Sequence, residues 1–255
     1  MIINDYIVTK YLSGDIIDNH WIFYSIEKGN YLYKTPDPKR REIVSKILLQ
    51  VKEKLIDFNP QNKKLFSILF PEWPVIVDKV NVLLVVGCPD PYDAMVRYYD
   101  GKQYVVFDLI QFAKYVDLGS DIELLVKRLI THEIAHICLH NKYPIPITDD
   151  YVALLKHITF DEGFAHILAF SDYIESYDFT GVIDNHYIKS FSKLQNAIKE
   201  RDVHKQKALL QQSNSGNYWD KFAAISGKLF LASNIDNIIN LYNGGIDGFI
   251  TSMKL

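Results

Sequence analysis

At 255 residues the chain is long enough for one large domain, or for two intimate subdomains, with a substantial core. Its 48% hydrophobic and 23% charged residues are ordinary for a globular protein, and a net charge of −3 gives no electrostatic case for a nucleic-acid or membrane partner. Two cysteines, Cys88 and Cys138, are too few for a disulfide framework, and both are expected to stay reduced. The start, Met1-Ile2-Ile3-Asn4-Asp5-Tyr6, lacks a basic region followed by an apolar stretch, and no run of about eighteen apolar residues follows anywhere. The expectation is a cytoplasmic protein without a membrane span; export by a route the sequence does not display stays open.

Residues 1–35 are aromatic and irregular, with Trp21, Phe23, Tyr24, Tyr31 and Tyr33, and fit either strands or a packing arm. Asp37-Pro38 reads as a cap with proline in the first turn. Ile43, Ile47, Val51, Leu55 and Phe58 then form one apolar stripe, which predicts an amphipathic helix over 39–58, stopped by Asn59-Pro60. The branched residues of Val75-Ile76-Val77 and of 80–86 predict strands. Segments 94–99 and 102–108 flank Asp100-Gly101, a dipeptide suited to a two-residue hairpin turn. That turn sets Tyr99 opposite Lys102 and Val96 opposite Val105.

Beyond residue 119 the pattern turns helical. Ser120-Asp121-Ile122-Glu123 has the form of a capping box with Ser120 as N-cap, opening a helix from Asp121 to about His140. Apolar residues surround that helix almost completely, so it is expected to be buried. Pro144 and Pro146 mark a loop before a second helix over about 149–173. A third helix is expected over about 187–212, then a Gln/Ser/Asn/Gly loop over 211–217, then a fourth helix over 218–232. The fold class is therefore α+β: a small, mainly antiparallel sheet over about 75–108, packed on a predominantly helical C-terminal part. The expected organisation is an N-terminal α+β subdomain, 1–119, and a helical subdomain, 120–255, in one compact unit.

The first of these C-terminal helices carries His132-Glu133-Ile134-Ala135-His136. Two histidines four residues apart on a helix share one face, about one turn apart, and can hold one Zn²⁺ at adjacent corners. The glutamate between them can reach a water on the open side of the ion. Without a metal, both histidines would be core residues, and Glu133 would be a carboxylate buried on an otherwise apolar helix at considerable cost.

Catalytic zinc needs a third protein ligand. The downstream candidates are His140, Asp149, Asp150, His157, Asp161, Glu162 and His166. His140 continues the four-residue spacing, but on a straight helix it lies about 12 Å from His132 along the axis, so three such rings cannot meet at one ion. Its simpler role is that of a histidine facing the helix C-terminal dipole. His157, His186 and His204 read as ordinary structural or surface residues. Glu162 is the better third ligand: it lies 26 residues beyond His136 on a helix long enough to pack across the first, with Gly163 and Ala165 allowing close approach. The result is a His₂Glu site for one zinc ion.

Two blocks, Thr131-His132-Glu133-Ile134-Ala135-His136 and Asp161-Glu162-Gly163-Phe164-Ala165, resemble the gluzincin metallopeptidases. The second is similar to the Asn-Glu-Gly-Phe-Ala stretch of zinc aminopeptidases, where the glutamate binds metal. The resemblance covers residues 131–166 and implies a zincin-like fold, with zinc ligands His132, His136 and Glu162 and Glu133 as general base. Thermolysin-type members carry an aspartate four residues after the ligand glutamate; here that position is His166, which leaves Asp161 or a backbone carbonyl to orient the imidazole. The family also implies a tyrosine or histidine from a later helix as oxyanion donor. Tyr218 is the first choice, followed by His186 and Tyr187. A peptide or protein substrate could pair with the edge of the strand over 102–108.

Two other readings compete. Gly87-Cys88 is somewhat like the thiolate-supplying pair of peptide deformylases, which would give a His₂Cys amide hydrolase without using Glu162. A gluzincin-like domain that keeps zinc for structure, or that binds partners without cleaving them, is the non-enzymatic alternative.

Overall fold

The computed structural model describes residues 1–17, 19–27 and 29–255. It is an α+β protein whose described residues divide into two compact units, 1–59 with 72–134, and 60–71 with 135–255.

The first unit holds the sheet. In chain order it contains β1 (Ile2–Asn4), α1 (Tyr6–Ser13), α2 (Trp21–Ser25) and α3 (Arg41–Ile56). Asp37 caps the short 3₁₀ turn Pro38–Arg40 ahead of α3 by accepting from the Lys39 amide. Val44, Ile47, Val51 and Leu55 make the buried stripe of α3, so Val44 replaces Ile43 in the expected set. The helix α4 (Lys63–Leu69) belongs to the second unit, and α5 (Trp73–Asp78) returns the chain to the first. Val75-Ile76-Val77 is thus helical, not a strand. Pro74 in the first turn suits a helix start, and this placement overrides the branched side chains.

The strands β2 (Asn81–Val85), β3 (Ala94–Tyr99) and β4 (Lys102–Asp108) follow. Sheet order is β1-β2-β4-β3, with β1/β2 and β2/β4 parallel and β3/β4 antiparallel. The sheet is therefore mixed, not mainly antiparallel, and it begins at the N-terminus. The hairpin has the expected register, Tyr99 opposite Lys102 and Val96 opposite Val105. Asp100 and Gly101 have φ of 48° and 69°, the left-handed pair that a type I′ turn requires. β2 and β4 are the buried strands of this sheet. β4 is flanked on both sides, so it is not the edge expected to bind a peptide; β3 is.

Asp108 ends β4 and caps α6 (Leu109–Asp117), its Oδ1 accepting from the amides of Ile110 and Gln111 and its Oδ2 from that of Cys88. Complete burial pushes this carboxyl up to about 6, against the pull of those amides. The thiols of Cys88 and Cys138 are also buried; burial raises both, Cys138 to about 12.

The helix α7 (Ile122–Lys142) carries the HExxH residues. Asp121, not Ser120, is its N-cap: Asp121 Oδ1 accepts from the amides of Glu123 and Leu124. Burial is one-sided at first and nearly complete from Ile130 to Leu139, where apolar residues surround the axis. Among the described residues no helix is long and apolar enough to cross a membrane.

The second unit is helical. Asp150 caps α8 (Tyr151–Leu168) through the amides of Val152 and Ala153. The predicted third helix is two, α9 (Thr180–Ile198) and α10 (Val203–Asn214), because Asp202 starts a new helix by capping the amides of His204 and Lys205. A 3₁₀ turn, Tyr218–Asp220, leads into α11 (Phe222–Ala232), and α12 (Ile238–Asn243) and α13 (Gly245–Ser252) close the chain. α8 packs most intimately on α11. A Cβ on Gly163 would stand 2.8 Å from the backbone of Gly227, and one on Gly227 would overlap the Thr159 carbonyl oxygen. Gly163 thus opens α8 to α11, not to α7. Phe160, Phe164 and Phe249 are buried ring against ring beside this crossing, each worth about 1.5–3 kcal/mol of burial.

Candidate metal centre

Helix geometry alone sets His132 and His136 on one face of α7, a single turn apart. Glu162 comes from the middle of α8. Ligand atoms of these three residues all lie within 4.8 Å of one another, and His136 Nε2 is 3.9 Å from Glu162 Oε2. An ion with bonds of about 2.0–2.2 Å needs its ligand atoms roughly 3–4 Å apart. Two imidazoles and a carboxylate, held in a site largely closed to water, suit a divalent cation of the zinc class.

The neighbours of these residues explain their orientation. His136 Nδ1 lies 2.8 Å from Asp161 Oδ2, which favours a proton on Nδ1 and leaves Nε2 as the ligand nitrogen. The residue set against His136 is thus Asp161, the one just before Glu162 in the chain. Burial alone would raise the Asp161 carboxyl, but His136 and His140 outweigh it and hold the group well below the usual carboxylate range. Glu162 moves the other way: burial raises it, Asp161 adds to the rise, and His136, Asn214 and Lys221 offset only part. Asn214, at the end of α10, donates to Glu162 Oε1 at 3.0 Å. His166 Nε2 stands 3.4 Å from Glu162 Oε2, one helical turn along α8.

Glu133 follows His132 directly, so its side chain leaves α7 about 100° around the axis from the ligand stripe. It is buried. Its charge acts on Arg97 of β3, where burial lowers the guanidinium and Tyr92 and Glu133 push it back up. Sequence reasoning does not single out Arg97, because nothing local ties a strand residue to a helix 36 positions later.

Tyr218 presents its ring edge to His166, centroids 5.4 Å apart, and so stands beside the ligand end of α8. Its hydroxyl accepts from Lys228 Nζ at 2.8 Å. Lys228 is only 1% exposed and lies over the Phe170 ring at 4.1 Å. An ammonium only donates, so the Tyr218 hydroxyl is the acceptor in this bond. His186 is stacked on Trp219 and Tyr187 on Phe191.

Asp150 is a helix cap and Asp149 is exposed, so neither serves as a ligand. Cys88 belongs to no group of described residues close enough to hold an ion, and its thiol is disfavoured as a thiolate by burial and by Asp108. The His₂Cys alternative therefore lacks its third ligand. His140 and His157 are not isolated residues: His140 stacks on His136 and on His157, at centroid distances of 5.9 and 5.8 Å.

No protein-family model, characterised protein or solved structure matches this chain.

Proposed function

We propose that the protein is a zinc-dependent peptidase of gluzincin type, acting on peptide or protein substrates. The observation that carries this reading is the convergence of His132, His136 and Glu162 around one point, with the buried carboxylate of Glu133 on the same helix.

A zinc ion held by His132, His136 and Glu162 would supply a Lewis acid for the scissile carbonyl and acidify a water. In such a site Glu133 would be the group that accepts a proton from the attacking water and passes it to the amide nitrogen of the breaking C–N bond. Tyr218, oriented by Lys228, donates to the oxygen that gains charge. Asp161 keeps His136 in the tautomer and orientation a ligand requires. Among the described strands β3 pairs only with β4, and its Arg97 is close enough to Glu133 to feel its charge. An extended peptide added along β3 would therefore run near the general base.

The test combines metal analysis with a peptide-library digest. Wild type is expected to bind zinc and cleave. Glu133→Gln should keep the zinc and lose about 10²–10⁴-fold in rate, the usual worth of a positioned acid–base group. Wild-type protein that holds zinc but cleaves nothing in the library would overturn the peptidase reading.

A further inference from the structure

His140 is the last of three histidines spaced four apart on α7, and it does more than face the helix end. Its Nε2 lies 3.2 Å from Asp161 Oδ1, while the other oxygen of the same carboxylate, Oδ2, lies 2.8 Å from His136 Nδ1. One turn of α7 thus presents two imidazoles to the two oxygens of one carboxylate from α8. His157, one turn before Asp161 on α8, stacks on the His140 ring with centroids 5.8 Å apart and 30° between planes. All four residues belong to the second unit. The side chains of His136, His140 and Asp161 are between 10% and 13% exposed, so water competes little for these contacts.

Two contacts do what one cannot. The terminal torsion of an aspartate is broad and roughly two-fold, so a carboxylate tied at one oxygen still swings about its Cβ–Cγ bond. His136 alone would leave Asp161 that freedom, because apart from His140 its Oδ1 meets no other polar partner among the described residues. Holding Oδ1 fixes the plane of the carboxylate, and with it the direction in which Oδ2 meets His136 Nδ1. The His136 ring is then kept with Nε2 toward Glu162 Oε2, 3.9 Å away. His157 lies against the face of His140 and limits the swing of that ring. A hydrogen on His140 Nε2 is all the task requires, and both the neutral Nε2–H tautomer and the imidazolium carry one.

We propose that His140 is a positioning residue for the metal centre: through Asp161 it holds His136 in the orientation that a ligand needs. This inference rests on His132, His136 and Glu162 binding a metal ion, and not on what the protein cleaves. Hydrogen-bond partners behind a ligand histidine are worth roughly 10–100-fold in metal affinity. His140 stands one contact further out, so its expected share is the lower end of that range, about 10-fold. The four-residue spacing also acquires a reason. His140 lies about 12 Å from His132 along the axis and cannot share its ion, yet it is one turn from His136 and reaches the carboxylate that His136 faces.

The experiment is the zinc affinity of the full-length protein, measured by competition with a chromogenic chelator, for wild type, His140→Leu and His140→Gln. Leucine removes the donor, whereas glutamine keeps an amide N–H at about the reach of a histidine Nε2. His140→Leu should weaken zinc binding about 10-fold, and His140→Gln should recover most of that loss. In an Asp161→Asn background His140→Leu should cost little more, because its route to His136 is already altered. A side chain that only filled space would produce neither the recovery nor this dependence. Equal affinity in wild type and His140→Leu, no recovery in His140→Gln, or losses that multiply in the double variant overturns the inference. In each of those cases zinc held by wild type and lost from Glu162→Gln leaves the centre itself standing. A wild type that binds no zinc overturns both. Should His140→Leu fail to fold, His140→Asn takes its place: the amide remains but is one methylene too short to reach Oδ1, and an affinity equal to that of His140→Gln overturns the inference.

Discussion

Replacing Tyr218 by phenylalanine removes one oxygen atom and leaves the ring edge against His166 in place. If the hydroxyl acts only as charge builds on the carbonyl oxygen, steady-state kinetics should show kcat falling about 10²–10³-fold with KM nearly unchanged. A rise in KM alone would make Tyr218 a binding contact. Among the individual side chains, the HExxH residues are legible in the sequence because a four-residue spacing on a helix fixes their relation without help from the rest of the chain. Glu162 is legible through its local block. The roles of Asn214, Arg97 and Lys228 are not, since each depends on which distant element lies alongside, and nothing in their own neighbourhoods carries that information. Asp161 lies between these cases: the sequence admits it as a ligand or as an orienting group, and the structure sets its Oδ2 2.8 Å from His136 Nδ1.

At the level of elements, the β3–β4 hairpin is readable to the residue because Asp100-Gly101 dictates both turn type and register. The parallel pairings are not. β1 is only three residues long, and its Ile2 pairs with Asn81, far along the chain, so no local turn announces the partnership. The third predicted helix divides at Asp202 because a side-chain cap there competes with continuing the helix. The α8–α11 crossing is hidden for a similar reason: Gly163 looks like a weak point in a helix until Gly227 is seen against it. Gly227→Ala should be among the most damaging single-methyl additions in the protein, because its Cβ would collide with the Thr159 carbonyl oxygen. A loss of about 1–3 kcal/mol or more is expected from thermal or urea melts. An unchanged melting curve would mean that the two helices have room to part.

Across the whole molecule, two compact units each keep their own apolar interior, with a sheet in one and a helical bundle in the other. The α+β class is evident from the switch in hydrophobic period near residue 119. The mixed strand order is not, because it depends on pairings far apart in sequence. One consequence lies in the two cysteines, for Cys88 belongs to the first unit and Cys138 to the second. Both sulfurs are shut away and kept in the unreactive thiol form. Each unit thus carries a built-in timer. Pulsed alkylation in rising denaturant, followed by peptide mass mapping, should label neither sulfur in the native state. If the halves open independently, the two labels will be acquired at different midpoints; if they open together, at one.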